Sequence, residues 1–389
     1  MKIKKLFLST LLSSILLGSS HMGFAYENPL QTYKTALESE NPDSLEHAFA
    51  ILTAQANAGD AASQGQLSRL YMEEDSRFFN NNLAMQWAVK AAEAGDSYGM
   101  NSIGYLYDHG RGVKENKDIA MKWFRKAADQ GLALSQHNIA ILYHNDEYQA
   151  YDPVQAKKWY EISANNGYLP AQLDLADYYR LGCYDGFAQD HQKAVDWYQK
   201  AAAQGSTEAH YQLGYYYLYG NNTIAVNLNL AQKHLTLAAQ NQDADAMNHL
   251  GVFYSTGETT EHIDYAKAFE WLSKSTALEN PEAHFNLGNL FLYGEGRPKD
   301  VKQAIAWFKK GSDLEDVSSQ LALGELYDQG TEVKANNRLA LKYYLLAAEN
   351  GNEKAQNMVY IFYLTGIGVP QDPVRAEHWR SIIDKNTEE

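Results

Sequence analysis

Residues 120 to 131 read AMKWFRKAADQG, in which Ala120, Trp123, Ala127 and Ala128 fall at i, i+3, i+7 and i+8. That spacing puts the four side chains on one stripe of an α-helix, and the closing glycine suits the left-handed backbone on which helices often end. The same wording returns as AMQWAVKAAEAG (84 to 95), AKKWYEISANNG (156 to 167) and AVDWYQKAAAQG (194 to 205). Its leading alanine recurs ten times, as Ala48, Ala84, Ala120, Ala156, Ala194, Ala231, Ala268, Ala304, Ala340 and Ala376, at steps of 36 to 38 residues. Three residues after each stands a large side chain, and all seven tryptophans of the chain occupy that slot. The pattern predicts that Trp123 is buried between helices.

Beyond each glycine comes a second pattern: SIGYLY (102 to 107), NIAILY (138 to 143), QLGYYY (212 to 217), NLGNLF (286 to 291) and ALGELY (322 to 327). A branched aliphatic residue, a small residue and an aromatic three later again mark a helical stripe, often closed by Gly-x-Gly, as at Gly110 and Gly112 or Gly294 and Gly296. Each period therefore predicts a helical hairpin. Its small residues (Gly104, Ala140, Ala176, Gly214, Gly251, Gly288, Gly324) let a neighbouring helix come close. One hairpin cannot bury its apolar face alone, whereas a stack buries it continuously, so the fold expected is all-α, a right-handed α-solenoid. Residues 59–389 hold nine hairpins and a polar C-terminal end, preceded over 26–58 by a partial hairpin or cap. Ser68 and Tyr360 replace the small residue in the first and last repeats, as terminal repeats facing solvent are free to do.

The A-x-x-W-(F/Y)-x-x-A-A-x-x-G helix, joined to an A-Q-x-N-L-G-x-x-Y helix and a Gly-x-Gly loop, resembles the Sel1-like repeat family over nearly the whole chain. The family is related to the tetratricopeptide repeats but has a slightly longer unit. The resemblance implies a superhelical scaffold for protein–protein interaction, and exported bacterial members are associated with envelope complexes and with contact between bacteria and host cells.

The chain opens MKIKK, continues with an apolar run from Leu6 to Leu17 and reaches the small-residue site Gly23-Phe24-Ala25. This is the pattern of a secretory signal peptide over 1–25, cleaved after Ala25, which predicts a periplasmic or secreted protein. The run is too short for a hydrocarbon core of about 30 Å, so no membrane insertion is expected after cleavage. Losing Lys2, Lys4 and Lys5 leaves 30 basic against 48 acidic side chains, a net charge of −18. Such a surface repels phosphate backbones, which argues against nucleic acid. Cys183 is the sole cysteine, so no internal disulfide forms.

Residues 95 to 99, GDSYG, match the G-x-S-x-G turn of serine hydrolases, yet that motif requires a strand before the serine. Here a helix precedes Ser97. Gly95 is a helix-ending glycine, and Gly99 falls in a small slot shared with Ser63, Ser135 and Ala171. Some cysteine-rich relatives are linked to penicillin binding, but no serine here has a lysine three residues on, and the cysteine pairs are missing. His210 and His284 occupy a slot that elsewhere holds Gln or Met, which reads as packing, and no H-E-x-x-H or cysteine cluster suggests a metal. No catalytic residue, metal or cofactor is assigned, and the protein is expected not to be an enzyme.

A ligand is expected on the first helices, which line the concave side in tetratricopeptide repeats. Counted from the anchor slot that holds the closing glycine, positions +3, +6, +10, +13 and +14 should face it. They carry the aromatics Tyr98, Tyr105, Tyr211, Tyr215, Tyr219, Phe285 and Tyr293, accompanied by the acids Glu208, Asp245 and Glu282. Tyrosine joins a rigid apolar surface to a polar tip and is enriched where proteins meet, although neighbouring first helices packing through these rings is an alternative use. An acidic aromatic groove suits a protein or peptide segment bearing Lys or Arg. The expected function is thus a non-catalytic scaffold of the envelope or beyond. The rival is a peptidoglycan- or carbohydrate-binding, weakly wall-acting protein, since aromatic faces also stack on sugars. Against it, no acid pair falls at a glycosidase spacing.

Overall fold

The computed structural model describes residues 42–74, 76–182, 188–256 and 263–386. The expected signal peptide with its Ala25 cleavage site, residues 26–41 of the cap, and Cys183 lie outside these. The described residues form nineteen helices. After α1 (Pro42–Asn57) come nine hairpins. Their first helices are α2 (Ala61–Met72), α4 (Ser97–Asp108), α6 (Ala133–His144), α8 (Leu169–Leu181), α10 (Thr207–Tyr219), α12 (Ala244–Thr256), α14 (Pro281–Tyr293), α16 (Val317–Gln329) and α18 (Glu353–Thr365). Their second helices are α3 (Asn81–Glu93), α5 (Lys117–Asp129), α7 (Pro153–Asn165), α9 (His191–Ala203), α11 (Leu228–Gln240), α13 (Tyr265–Ala277), α15 (Val301–Asp313), α17 (Asn337–Glu349) and α19 (Pro373–Asn386). The chain is an all-α solenoid of helical hairpins. It forms two compact units that divide between Gln204 and Gly205, the first holding repeats 1 to 4 and the second repeats 5 to 9.

Local chemistry fixes where each second helix starts. An Asn or Asp (Asn80, Asn116, Asp152, Asp190, Asn227, Asp264, Asp300, Asn336, Asp372) caps it, its side chain accepting a first-turn amide N–H. The cap's own N–H donates to the carbonyl of the aromatic slot in the preceding helix, from Asn80 to Tyr71 through Asp372 to Tyr363, at 2.8 to 2.9 Å. One residue thus closes the loop at both ends. The anchor slot is left-handed throughout. Glycine holds it at Gly95 (φ 86°) and Gly131 (φ 86°), but Gln242, Glu279 and Glu315 adopt φ 61 to 65° in repeats 6 to 8, where sequence offers no glycine.

The core differs from expectation at one slot. Trp123 is half-buried rather than buried, and the fully enclosed residue is its neighbour Phe124, 1% exposed. Tyr160, Tyr198, Leu235, Leu272, Phe308 and Tyr344 fill the same fourth position in later repeats. Helical rotation of about 100° per residue lets the stripe accept either neighbour, and here the fourth position lies innermost. Trp123, Trp159, Trp197, Trp271 and Trp307 are half-buried, whereas Trp87 and Trp379 near the two ends are buried, and in five repeats a lysine one turn on covers the ring. Lys126 Nζ sits 3.9 Å from the Trp123 centroid, and Lys90, Lys200, Lys274 and Lys310 repeat the contact on Trp87, Trp197, Trp271 and Trp307.

A second correction concerns the slot at +5, read from sequence as plain packing. Gln64, Gln172 and Gln356 each donate a side-chain N–H to the carbonyl of Ala56, Ala164 and Ala348 in the preceding helix, at 2.9, 3.0 and 3.3 Å. The amide oxygen of this slot accepts from the residue that ends the second helix of the same repeat: Asn166 to Gln136 at 2.8 Å, Gln204 to Gln172 at 2.8 Å, Asn350 to Gln320 at 3.3 Å and Asn386 to Gln356 at 3.1 Å. Repeats with Met247 or His284 carry the apolar Leu278 or Leu314 there instead. Repeat 1 breaks the pairing, since Ala94 stands at the donor position and Gln64 Oε1 is buried without a partner.

Restoring the missing donor with Ala94→Asn should raise stability by about 1 kcal/mol, measured as a shift in the urea midpoint. An unchanged midpoint would show that water already satisfies Gln64.

In repeat 5 the polar pairing is replaced by two histidines, His210 Nδ1 and His234 Nδ1, 3.0 Å apart. Burial, then the neighbouring His210 charge and Lys233, pushes the His234 pKa down to about 4, and burial lowers that of His210 as well. Both rings take up protons more readily unfolded, near pH 6.5, so their contribution is full above that pH and is lost as pH falls towards about 4. The melting temperature should therefore drop across this window. His234→Trp, which recreates the His284–Trp307 arrangement of repeat 7 (centroids 5.7 Å apart), should flatten the drop.

Candidate partner-binding face

Within each unit consecutive first helices touch, as α2 does α4 and α10 does α12, so they line the inner side of the local stack. Position +6 of one repeat meets position +7 of the next. His137 Nε2 lies 2.6 Å from Asp174 Oδ2, Asn138 Nδ2 donates to Asn101 Oδ1 at 2.9 Å, and Asn286 Nδ2 donates to Asn248 Oδ1 at 2.9 Å. Residues at +6 are inter-repeat joints first.

This decides the role of the tyrosines on α10. Tyr211, Tyr215 and Tyr219 share one face and gather around His249 of α12, with ring centroids 5.7, 5.6 and 5.8 Å from it. The Tyr211 hydroxyl is 3.3 Å from His249 Nε2 and the Tyr219 hydroxyl 3.2 Å from Nδ1. Burial lowers the His249 pKa against the opposite pull of Asp245, which keeps the ring neutral. Tyr211 is half-buried in the joint, whereas Tyr215 and Tyr219 stay 45% and 46% exposed. The cluster thus serves packing at one end and presents open rings at the other.

Beside it, Asp245, Glu282 and Phe285 line a groove of about 600 Å³ with Asn280, Asn286, Leu314, Glu315, Asp316 and Val317. Asn280 Nδ2 donates to Asp245 Oδ1 at 2.7 Å and Asn248 Nδ2 to Glu282 Oε2 at 3.1 Å, which fixes both carboxylates. Burial, reinforced by Asp245 and Asp316, raises the Glu282 pKa. Phe285 rests on Phe308, centroids 5.8 Å apart, and forms an apolar part of the lining. Sequence reasoning missed Glu315 and Asp316. Asp316 is also the N-cap of α16, accepting from Ser319 N–H at 2.7 Å, and a capping reading conceals its charge.

The other expected residues stand apart from this groove. Glu208 is exposed in the first turn of α10, and Tyr293, 67% exposed, ends α14. Tyr98 and Tyr105 belong to the first unit. Arg69 sits 5.7 Å from the Tyr98 ring, while His109 and Arg111 cover Tyr105 at 4.1 and 5.1 Å. Ser97 opens α4 behind Asp96, whose carboxylate accepts the Gly99 N–H at 2.7 Å. A Cβ on Gly99 would lie 2.4 Å from Ala91 Cβ, so this glycine answers to helix packing. Among the described residues no three His, Cys, Asp or Glu side chains gather as a metal site, and no helix is long and apolar enough to cross a membrane.

Stacked hairpins of this length, with a variable inner face and a shared core, define a helical repeat scaffold. The Sel1 repeat model matches nine times, over 61–96, 97–132, 133–168, 170–206, 207–243, 244–280, 281–316, 317–352 and 355–379. The chain belongs to the Sel1 repeat family, and such repeats generally mediate contacts between proteins. It is similar to the crystal structure of c5321, a protective antigen present in uropathogenic Escherichia coli strains, at 28% identity and a TM-score of 0.66 over 85% of this chain and 78% of that one. A Sel1 repeat protein from Oxalobacter formigenes matches at 26% identity and a TM-score of 0.59, over 89% and 98%. Among curated relatives, the chitin synthase regulator SKT5 of Saccharomyces cerevisiae is 30% identical over 34% of this chain, which covers 19% of its own length. A protein of Neisseria meningitidis, NMB1327, is 29% identical over 46% of this chain and 36% of its own length. The chain therefore spans well under half of these two curated relatives.

The joint and the open rings should separate on mutation. Tyr211→Ala should destabilise the second unit by about 2 kcal/mol, whereas Tyr215→Ala should cost under about 1 kcal/mol, read by urea unfolding and amide exchange on α10 and α12. Equal costs would contradict the division of roles.

Proposed function

We propose that the chain is a non-catalytic, exported scaffold that holds a basic segment of a partner protein in the groove of repeats 6 to 8. The observation that carries this reading is the lining itself: Asp245, Glu282, Glu315 and Asp316 around Phe285 and Leu314. The Glu282 carboxyl, raised by burial and then by the charges of Asp245 and Asp316, is relieved when a cation enters, and an apolar surface beside it accepts the aliphatic stem of Lys or Arg. The field of an acidic protein also speeds the approach of a basic partner, in a salt-dependent way. Export rests on the sequence of residues 1–25. A bacterial envelope or secreted setting, with a role in host contact or envelope assembly, is further supported by likeness to a protein described as a protective antigen of uropathogenic strains.

The test is capture from an envelope fraction by the immobilised mature chain, with purified peptidoglycan sacculi alongside. A protein should be captured, and Asp245→Asn with Glu282→Gln should weaken its binding by about 2 kcal/mol, roughly thirtyfold, and flatten the salt dependence of the on-rate, with little change in melting temperature. Binding to sacculi alone, untouched by the double substitution, would favour the wall-binding alternative and reject this reading.

A further inference from the structure

The first unit carries a cluster of different chemistry. Arg69, on α2, occupies the +10 position of repeat 1, where later repeats place Tyr105, Ile141, Asp177, Tyr215, Val252, Asn289, Glu325 and Ile361. The other charged occupants are paired within the protein: Asp177 with Arg180 at 2.8 Å and Glu325 with Lys354 at 2.5 Å. Arg69 makes no hydrogen bond or ion pair with any described residue, and its Nη1 is shielded from solvent without an acceptor. A donor on a charged group held in this way loses its water contacts and gains nothing in return, a cost that an incoming acceptor removes.

The surroundings are drawn from repeats 2 to 4. The Tyr98 ring lies 5.7 Å from the guanidinium. Tyr168, which precedes α8, is close enough for the charges of Arg69 and Asp174 to act on its phenol, and its ring packs 5.2 Å from that of His137. His137 is tied to Asp174 at 2.6 Å, so neither is free to neutralise Arg69. Glu73 feels the Arg69 charge but forms no bond to it.

We propose that this inner face of repeats 1 to 4 binds a carboxylate of a peptide segment, received by the Arg69 guanidinium with Tyr98 and Tyr168 beside it. A carboxylate rather than a phosphate follows from the charge balance. Among the described residues one cation without an ion pair stands there, with Glu73 and Asp174 near it and a chain of net charge −15 around it, which matches a single negative charge and opposes two. The carboxylate can come from an acidic side chain or from a chain's C-terminus. This site is independent of the groove in repeats 6 to 8.

Three acetylated probe peptides decide it: an amidated one with a single glutamate, the same peptide with glutamine, and the glutamine peptide with a free C-terminal carboxylate. Titrated into the mature chain, the two carboxylate probes, or one of them, should shift the NMR signals of the Arg69 side-chain N–H and of the Tyr98 and Tyr168 rings saturably, while the amidated glutamine peptide should not. Whichever carboxylate probe binds identifies the source. Arg69→Gln should weaken the binding about tenfold or more, in line with loss of a charged hydrogen bond, and Tyr168→Phe, which removes only a hydroxyl, should weaken it by a smaller factor. Neither substitution should alter basic-segment capture by the groove, so the two readings fail separately. No saturable shift with either carboxylate, equal binding of the amidated glutamine peptide, tighter binding of inorganic phosphate, or unchanged affinity in both variants would overturn the proposal.

Discussion

The distance between the two helices of a hairpin is set by one fit, the small residue of the first helix against the large fourth-position residue of the second. A Cβ on Gly104 would lie 2.6 Å from the Phe124 ring, on Gly288 2.5 Å from Phe308, and on Gly324 2.6 Å from Tyr344. Real contacts of that length do not occur, so glycine and ring share one volume. Repeats 3 and 4 keep a small residue there, Ala140 and Ala176, against Tyr160 and Tyr198, whereas in repeat 1 both members change. Repeat 1 has Ser68 facing Ala88, and the Ser68 hydroxyl donates to the Ala84 carbonyl at 2.8 Å. The cap bonds from Asn80 to Asp372 close loops of the length this spacing allows, and the glutamine bonds to the preceding helix then lock one hairpin on the last.

The repeat, its period and the hairpin were legible because they rest on local periodicity, which a single chain shows ten times over. The burial order within the second helix was not. Trp123 and Phe124 are neighbours in sequence and both large and apolar, and the facing Gly104, which belongs to another helix, selects Phe124. The Gln136–Asn166 pairing joins residues thirty apart, so no local window contains it. It was still readable in part, since Gln136, Gln172, Gln320 and Gln356 each stand with an Asn or Gln and Met247 with Leu278, although Gln64 with Ala94, Met100 with Gln130 and His284 with Leu314 depart.

For the site, register alone brought Asp245, Glu282 and Phe285 to a common groove, since each sits at a fixed distance from its anchor. The same rule grouped Tyr211 with them, but +6 faces the next repeat as well as the inner space, and His249 claims that ring. Arg69 was not legible in the sequence, because a single arginine on a first helix looks like any solvated surface charge. Its difference from other charged occupants of the slot, the lack of a hydrogen-bond or ion-pair partner among the described residues, is visible only once three-dimensional contacts are known.

These assignments imply a division of labour along the first helix. Positions answering to the core of the hairpin hold aliphatic, small or aromatic groups in nearly every repeat, because each meets a fixed partner at van der Waals distance. Positions +3 and +10 meet no such fixed partner, and they range from Glu282 to Tyr98 and from Arg69 to Tyr215 while the fold persists. Variation there changes what the inner face presents without changing how hairpins stack. A scaffold with these properties can carry an acidic groove in one unit and an unpaired guanidinium in the other, since neither feature is constrained by the packing that holds the repeats together.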